Sequence, residues 1–262
     1  MTTYTELLAG LKRGDDGRVE ASVSPDWMQG RTTYGGLTAA LCLEAARGLV
    51  DDLPLRSAQV AFVGPSGGDV SLKPTLLRRG KNTAFVTVDM TQEQGFAAQC
   101  VFAFGKARES SLDFQEIAMP DVPGPNDAPS FFREGRRPGF TNNFNMKGVL
   151  GDAPITGSDK RSIGLWMRHK DQAAPMDATA ILALADAPPP AALSMLKTPA
   201  PISSMTWMAE FLTEDITTEE GWFFALHTAD TATNGYSSQA MTLWNSKREP
   251  ILIGRQTITV FG

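Results

Sequence analysis

Polar and apolar residues alternate in long runs through much of the chain, which is the pattern of strands with one buried face. Short clusters rich in Gly, Pro and Asn separate neighbouring runs and are typical of hairpin turns. The pattern therefore predicts antiparallel sheet. The predicted strands cover residues 18–23, 57–63, 70–79, 83–91 and 96–107 in the first half, and 162–168, 202–211, 221–228, 236–245 and 251–261 in the second.

Two other segments are apolar around almost their whole helical circumference, which predicts helices buried in a core. The first, at 32–50, opens with Gly35 and Gly36. The second, at 178–193, contains a single carboxylate, Asp186, just before a run of three prolines.

The same order of elements occurs twice, a helix followed by three or four long strands. This repetition predicts a duplicated unit, with an N-terminal domain at 1–107 and a C-terminal domain at 159–262. Residues 108–158 are rich in Pro, Asn, Asp and Gly and show little periodicity, so we interpret them as a connector. A connector of this length is rarely idle in a compact protein.

Composition excludes several classes of function. The chain has 262 residues, of which 42% are hydrophobic, and this is enough for a sizeable core. Its formal charge of -5 comes without a long basic run, which disfavours a nucleic-acid partner. No apolar stretch is long enough to span a membrane and the first residues do not resemble a signal peptide. We therefore expect a cytoplasmic protein that does not bind membranes.

The cysteines and histidines predict no metal chemistry. Cys42 and Cys100 lie in apolar surroundings, where a reduced cysteine behaves as a small hydrophobic residue. His169 and His227 have no Cys or His partner at metal-ligand spacing. Neither a metal nor another cofactor is predicted.

Asp186 and the two glycines each allow a structural and a functional interpretation. An unpaired buried carboxylate costs on the order of several kcal/mol, so Asp186 must be hydrogen-bonded, neutralised or facing a cleft. It could simply end its helix, or it could be a catalytic carboxylate. Gly35 and Gly36 could be ordinary turn residues, or they could let a ligand approach the free amides of a helix start.

Three segments in each half carry a recognisable pattern. They are Thr-Tyr-Gly-Gly-Leu-Thr-Ala-Ala at 33–40, Arg-Ser-Ala-Gln-Val-Ala-Phe-Val-Gly-Pro at 56–65, Leu-Leu-Arg-Arg-Gly-Lys-Asn-Thr-Ala-Phe at 76–85, Leu-Ala-Leu-Ala-Asp-Ala-Pro at 182–188, Pro-Ile-Ser-Ser-Met-Thr-Trp at 201–207 and Gly-Arg-Gln-Thr-Ile at 254–258. With them the chain resembles the double-hotdog acyl-CoA thioesterases, the acyl-CoA thioesterase II-like family. The resemblance implies an α+β double hotdog, in which two long central helices are each wrapped by an antiparallel β-sheet and the halves form one continuous sheet.

The resemblance also implies which residues act. The family's aspartate, on the second helix, falls on Asp186, and its glutamine, on the last strand, falls on Gln256. The family's hydroxyl residue falls on or beside Ile202, so either Ser203 or Ser204 replaces it or the hydroxyl is missing. Adjacent strand residues point to opposite faces, so only one of these serines can face Asp186.

The implied activity is hydrolysis of acyl-CoA to a free acid and coenzyme A. A water oriented by Asp186, Gln256 and a serine would attack the thioester, and the amides of Gly35 and Gly36 would bind the substrate oxygen. A non-hydrolytic acyl-CoA or acyl-group binding protein on the same fold is the alternative. A hydratase is disfavoured because neither histidine follows an aspartate at the spacing that hotdog hydratases use.

The phosphates of coenzyme A require local cations, because the chain as a whole is acidic. Arg78, Arg79 and Lys81 are the candidates for a cationic rim, although they could also be solvent-exposed side chains without a role. We expect the acyl-CoA substrate and a second copy of the chain as partners, giving a dimer of double hotdogs.

Overall fold

The alternating runs form strands. The computed structural model, which describes residues 1–132 and 137–261, joins twelve strands into one sheet in which all paired neighbours are antiparallel. Two further short strands, β3 and β4, pair with each other. The strands are β1 (Lys12–Arg13), β2 (Val19–Val23), β3 (Met28–Gln29), β4 (Thr32–Thr33), β5 (Leu55–Phe62), β6 (Gly68–Arg79), β7 (Thr83–Gln92), β8 (Gly95–Gly105), β9 (Phe144–Leu150), β10 (Ser162–His169), β11 (Ile202–Phe211), β12 (Phe223–Thr233), β13 (Tyr236–Asn245) and β14 (Pro250–Val260).

The two halves of the chain share this sheet. Its order is β1-β2-β6-β7-β8-β5-β11-β14-β13-β12-β10-β9, so strands of the first half lie on one side and strands of the second half on the other. The halves meet where β5 pairs with β11, in a register that places Val60 opposite Trp207. The predicted α+β fold with one continuous antiparallel sheet is confirmed.

In the described residues, three α-helices accompany the sheet: α1 (Tyr4–Ala9), α2 (Gly35–Arg47) and α3 (Ala178–Ala185). α2 packs on α3 and on the strands β6 and β7, and both helices are buried over nearly all of their residues, as their apolar circumference predicts. The prediction of two long helices is wrong for the second, which ends at Ala185. Each of the three following prolines disfavours the helical conformation of the residue before it, and the chain continues as a 3-10 helix at Ala191–Met195.

The segment interpreted as a connector is largely built into the fold. It contains a 3-10 helix at Gly139–Asn143 and the edge strand β9, which pairs with β10. Residues 117–128 cover part of the outer sheet face, where the indole nitrogen of Trp166 donates to the Pro123 carbonyl at 2.8 Å and that of Trp244 donates to the Ile117 carbonyl at 3.1 Å. The connector therefore extends the edge of the sheet with β9 and covers part of its outer face.

None of the helices in the described part of the chain is long and apolar enough to cross a membrane. Within residues 1–132 and 137–261, no group of three or more His, Cys, Asp or Glu side chains is arranged to hold a metal ion. Cys42 and Cys100 are both free thiols and both are buried.

Candidate active site

A cavity of about 1200 Å³ lies where the start of α2 meets the end of α3. The strands β5, β8, β11 and β14 contribute one end each to its wall, and residues from the connector complete it. The strand residues at the cavity include Phe62, Ala98, Ser204 and Gln256, and the connector residues include Phe131, Phe132, Phe140 and Ile155. Apolar groups form most of the cavity wall, and polar side chains are spread along it, with Asp186, Ser204 and Gln256 close together near the helix ends.

Asp186 is held at the junction of the two helices. It directly follows α3 as its C-cap residue and lines the cavity. Its Oδ1 accepts a hydrogen bond from Gln256 Nε2 at 2.9 Å, and the backbone N–H of Gly36 also donates to its carboxylate. Because a helix N-terminus favours a nearby negative charge, the start of α2 stabilises the ionised form. Asp186 thus both ends a helix and faces a cleft, which joins the two interpretations left open by the sequence.

The two glycines permit this close approach of the helices. A Cβ at Gly35 would lie 2.6 Å from Asp186 Oδ2, and one at Gly36 would lie 2.9 Å from the Leu182 carbonyl oxygen. Gly35 lines the cavity, whereas Gly36 is buried behind it. The structure therefore separates the two predicted substrate-binding residues, because the Gly36 amide is directed at Asp186 and only Gly35 borders the space for a ligand.

The structure brings one of the two predicted serines into the cluster. Ser204 Oγ accepts a hydrogen bond from Gln256 Nε2 at 2.9 Å, so one amide nitrogen joins Ser204 to Asp186. Ser203 is exposed at the cavity mouth, and its hydroxyl makes only a 3.5 Å contact with the Ser204 carbonyl. Alternation along β11 accounts for this difference.

Burial raises the pKa of the Asp186 carboxyl to about 7, and the hydrogen bonds from Gln256 and Gly36 oppose that rise. The carboxyl is therefore ionised in a large fraction of molecules at neutral pH and can still be protonated. A general base works best when its pKa lies near the working pH, so this environment suits proton transfer.

Two buried polar residues behind Gln256 were not predicted. Gln239 Nε2 donates to Gln256 Oε1 at 2.8 Å and lies 3.4 Å from His227 Nδ1. Gln239 and His227 are each 1% exposed. The position of Gln239 in the sequence could have indicated its burial. Residues alternate between the two faces of β13, and Gln239 shares the inward face with the apolar residues Met241 and Leu243.

The predicted cationic rim does not lie at the cavity. Phe62 lies at the cavity, and the register of the paired strands β5, β8, β7 and β6 places Leu72 of β6 at the same level across the sheet. Arg79 lies roughly 23 Å further along β6 at about 3.3 Å per residue, and it forms an ion pair with Asp52 at 2.6 Å. None of the three predicted rim residues, Arg78, Arg79 and Lys81, lines the cavity. Their sequence positions gave no information about which end of the sheet they occupy.

Arg31 is the cation that lines the cavity in the described part of the chain. Its side chain is exposed and forms no ion pair with any described residue. It lies between β3 and β4, and its exposure places it at the solvent side of the cavity. Arg31 is therefore available to an anionic group of a ligand.

Two antiparallel units, each with a central helix and joined edge to edge, define a double-hotdog protein with a polar cluster at the helix junction. Residues 23–105 match the family model of the acyl-CoA thioesterase N-terminal domain, and residues 118–260 match that of the acyl-CoA thioesterase C-terminal domain. The chain belongs to the acyl-CoA thioesterase family, and it is a thioesterase. The resemblance noted in the sequence is confirmed.

Solved structures share the fold over the whole chain. A hot dog protein from Alicyclobacillus acidocaldarius superposes with a TM-score of 0.89 at 24% identity, covering 100% of this chain and 99% of its own. The tesB protein of Mycobacterium avium subs paratuberculosis superposes with a TM-score of 0.82 at 15% identity, covering 99% of this chain and 100% of its own. The acyl-CoA thioesterase II TesB2 of Mycobacterium marinum superposes with a TM-score of 0.78 at 17% identity, and 98% of each chain is covered. Among curated proteins, none matches this chain.

Proposed function

We propose that the protein hydrolyses acyl-CoA thioesters to a free acid and coenzyme A by direct attack of water, with Asp186 as the general base. The observation that carries this proposal is the double hydrogen bond of Gln256 Nε2, which holds Asp186 Oδ1 and Ser204 Oγ at 2.9 Å each. The amide nitrogen fixes the spacing of a carboxylate and a hydroxyl beside the cavity. A water bound between these two groups would be aimed at a thioester in the cavity.

The serine and the aspartate have complementary tasks. Because Ser204 Oγ accepts a hydrogen bond from Gln256, its own proton is free to be donated to the water or the substrate. The ionised Asp186 accepts a proton from the same water as the water oxygen bonds to the carbonyl carbon. General-base assistance of this kind contributes roughly 10²–10⁴-fold in rate.

The remaining bond changes need a donor for the oxyanion and a proton for the leaving group. The amide of Gly35 borders the cavity at the positive end of α2, so it can stabilise the negative charge on the tetrahedral intermediate. When the C–S bond breaks, Asp186 returns the proton to the coenzyme A thiolate. The carboxylate is then regenerated for another cycle.

The cavity supports an acyl group at its apolar end and coenzyme A at its mouth. Phe62 and the connector side chains Phe131 and Phe132 form apolar wall, and Arg31 offers a positive charge to a phosphate. The compartment, the link to fatty acid metabolism and the oligomeric state remain predictions from the sequence.

The proposal is tested by free-thiol release from a panel of acyl-CoAs of increasing acyl length. Wild type should release thiol, Ser204→Ala should lose roughly tenfold or more in kcat, and Ser203→Ala should keep wild-type kcat. The two serine variants are a matched pair because they are neighbours on β11 and differ in contact with Gln256. Equal effects of both substitutions, or no thiol release by wild type, would contradict the proposed site.

A further inference from the structure

The orientation of the Gln256 side chain can be traced to a backbone amide two hydrogen bonds away. The N–H of Ala191 can only donate, and it lies 3.0 Å from Gln239 Oε1. Gln239 must therefore present its Nε2 to Gln256, at 2.8 Å. It follows that the Gln256 atom facing Gln239 is the acceptor Oε1.

This order leaves the Gln256 nitrogen on the side of the reaction site. Both of its N–H groups are then used, one on Asp186 Oδ1 and one on Ser204 Oγ. The reverse orientation would place a carbonyl oxygen against a carboxylate, where two acceptors repel each other. The direction of this amide thus determines whether Asp186 and Ser204 are held together.

A second contact supports the same orientation of Gln239. Its Nε2 lies 3.4 Å from His227 Nδ1, and the His227 ring is also hydrogen-bonded to the backbone of Ala185. Burial lowers the pKa of His227 to about 4, so the ring is neutral at ordinary pH and one of its nitrogens accepts a hydrogen. A neutral imidazole has one acceptor nitrogen, and Gln239 Nε2 can donate to His227 when that acceptor is Nδ1.

The sheet makes this arrangement rigid. Gln239 on β13 is directly opposite Gln256 on β14, and the two side chains lie on the inward face with exposures of 1% and 4%. Buried amides without partners would each cost on the order of 1–3 kcal/mol, so the network favours one arrangement in which every group is paired.

We propose that Gln239 is a positioning residue of the thioesterase site, which sets the end of the Gln256 amide that faces Asp186 and Ser204. This role rests on the proposed hydrolysis, because Gln239 does not border the cavity and acts through Gln256. The titratable groups facing the network are Asp186 just after α3, Tyr34 just before α2 and His227 on β12.

Gln239→Glu tests the proposed direction without changing the size of the side chain. While the introduced carboxyl is protonated, it can still accept from Ala191 and donate to Gln256. Once ionised it can only accept, so it should turn the Gln256 amide around. The ratio of variant kcat to wild-type kcat should therefore fall at least tenfold as pH rises from 6 to 9, with a smaller change in KM.

Three further variants serve as controls for this effect of Gln239→Glu. In the Gln256→Ala background, Gln239→Glu should leave the pH dependence of kcat unaltered, since there is no amide to turn. Gln239→Met, which cannot donate at any pH, should lower kcat about fivefold or more at every pH. Ser237→Ala, on the same strand and the same buried face, should have no effect on kcat.

A measurement without substrate keeps the inference independent of the activity. The Gln256 side-chain amide resonances, assigned by their absence in Gln256→Ala, should shift as Asp186 ionises in wild type and should lose that response in Gln239→Met. If wild type releases no thiol but the amide behaves in this way, the proposed function fails and the positioning role stands. If Gln239→Met has wild-type kcat and wild-type amide resonances, the positioning role is overturned.

Discussion

Gly35 lies so close to Asp186 that a Cβ at Gly35 would be 2.6 Å from the carboxylate oxygen Oδ2. Glycine usually lowers the stability of a helix, because alanine is more favourable by roughly 0.5–1 kcal/mol in the middle of one. Here the Asp186 carboxylate occupies the space that a side chain at Gly35 would need. The start of α2 and the end of α3 therefore fit together as one site.

Gly35→Ala should consequently destabilise the protein and lower kcat, although the same change in an unconstrained helix is stabilising. Urea unfolding gives the stability, and thiol release gives kcat. Asp186→Ala removes the nearer obstruction and leaves the Phe62 ring 3.1 Å from the added Cβ, so in that background Gly35→Ala should be clearly less destabilising. Gly35→Ala with wild-type kcat and a higher unfolding free energy would show that the contact is not restrictive.

Asp186→Asn should stabilise the fold at pH 8. Burial raises the Asp186 pKa from its ordinary value of 3.8 to about 7 in the folded chain. The wild-type protein therefore loses stability as pH rises from about 4 to about 7, because the unfolded chain releases its proton first. The uncharged asparagine avoids this loss, which is about 1–3 kcal/mol after allowing for solvent at the cavity. Urea unfolding at pH 8 and pH 4 should show a gain that is large at pH 8 and small at pH 4; an equal gain at both would contradict the raised pKa.

Much of this architecture follows from residue patterns, because burial of one face imposes period two on a strand and burial of every face removes periodicity from a helix. β13 and β11 match their predicted ranges for this reason. The edge strand β9 was missed because most of its residues are only half-buried, so alternation is weak, and because it lies in a segment rich in turn residues.

The site was predictable only in part. Asp186 stood out as a lone carboxylate in an apolar helix, Gln256 was named from a family resemblance, and the structure brings the two together. The choice between Ser203 and Ser204 depends on strand parity, which no local pattern reveals when both neighbours are serine. Arg79 was misplaced because the distance from a cavity depends on which end of a strand faces it, and this is a property of the whole sheet.

Arg31→Glu should raise the KM for acyl-CoA about tenfold while kcat changes little, because the side chain borders the cavity mouth and has no ion-pair partner among the described residues. The wild-type KM should also rise with salt, since an exposed charge is screened. Arg78→Glu is the matched control, because it reverses the same charge away from the cavity. Equal changes in KM for both variants would remove Arg31 from the substrate site.

Ile155 borders the cavity with a backbone φ of 61°, a left-handed conformation that is unfavourable for a β-branched residue. Its N–H donates to the Leu193 carbonyl at 2.9 Å, which fixes this conformation. Ile155→Gly should therefore be more stable than Ile155→Ala by about 1 kcal/mol, the reverse of the usual order for ordinary backbone.

Both Ile155 variants remove the same wall of the cavity, so both should shift hydrolysis toward longer acyl chains in a panel of acyl-CoAs. An unchanged chain-length profile would mean that the Ile155 side chain does not contact the acyl group. A glycine variant less stable than the alanine variant would argue against the left-handed backbone at this position.

In the proposed mechanism, Asp186 and Gln256 act on one water. Asp186→Asn keeps the shape of the side chain and loses the base, so kcat for thioester hydrolysis should fall by at least about two orders of magnitude with a small change in KM. Gln256→Ala should reproduce that loss, and the double variant should be little worse than either single variant.

Thiol release by wild type, the two single variants and the double variant is the most direct measurement. Each single substitution should lower kcat by a large factor, and the two losses should not add. Small losses that add would mean that the two side chains do not share a water, and wild-type protein that binds acyl-CoA without releasing thiol would contradict hydrolysis at this site.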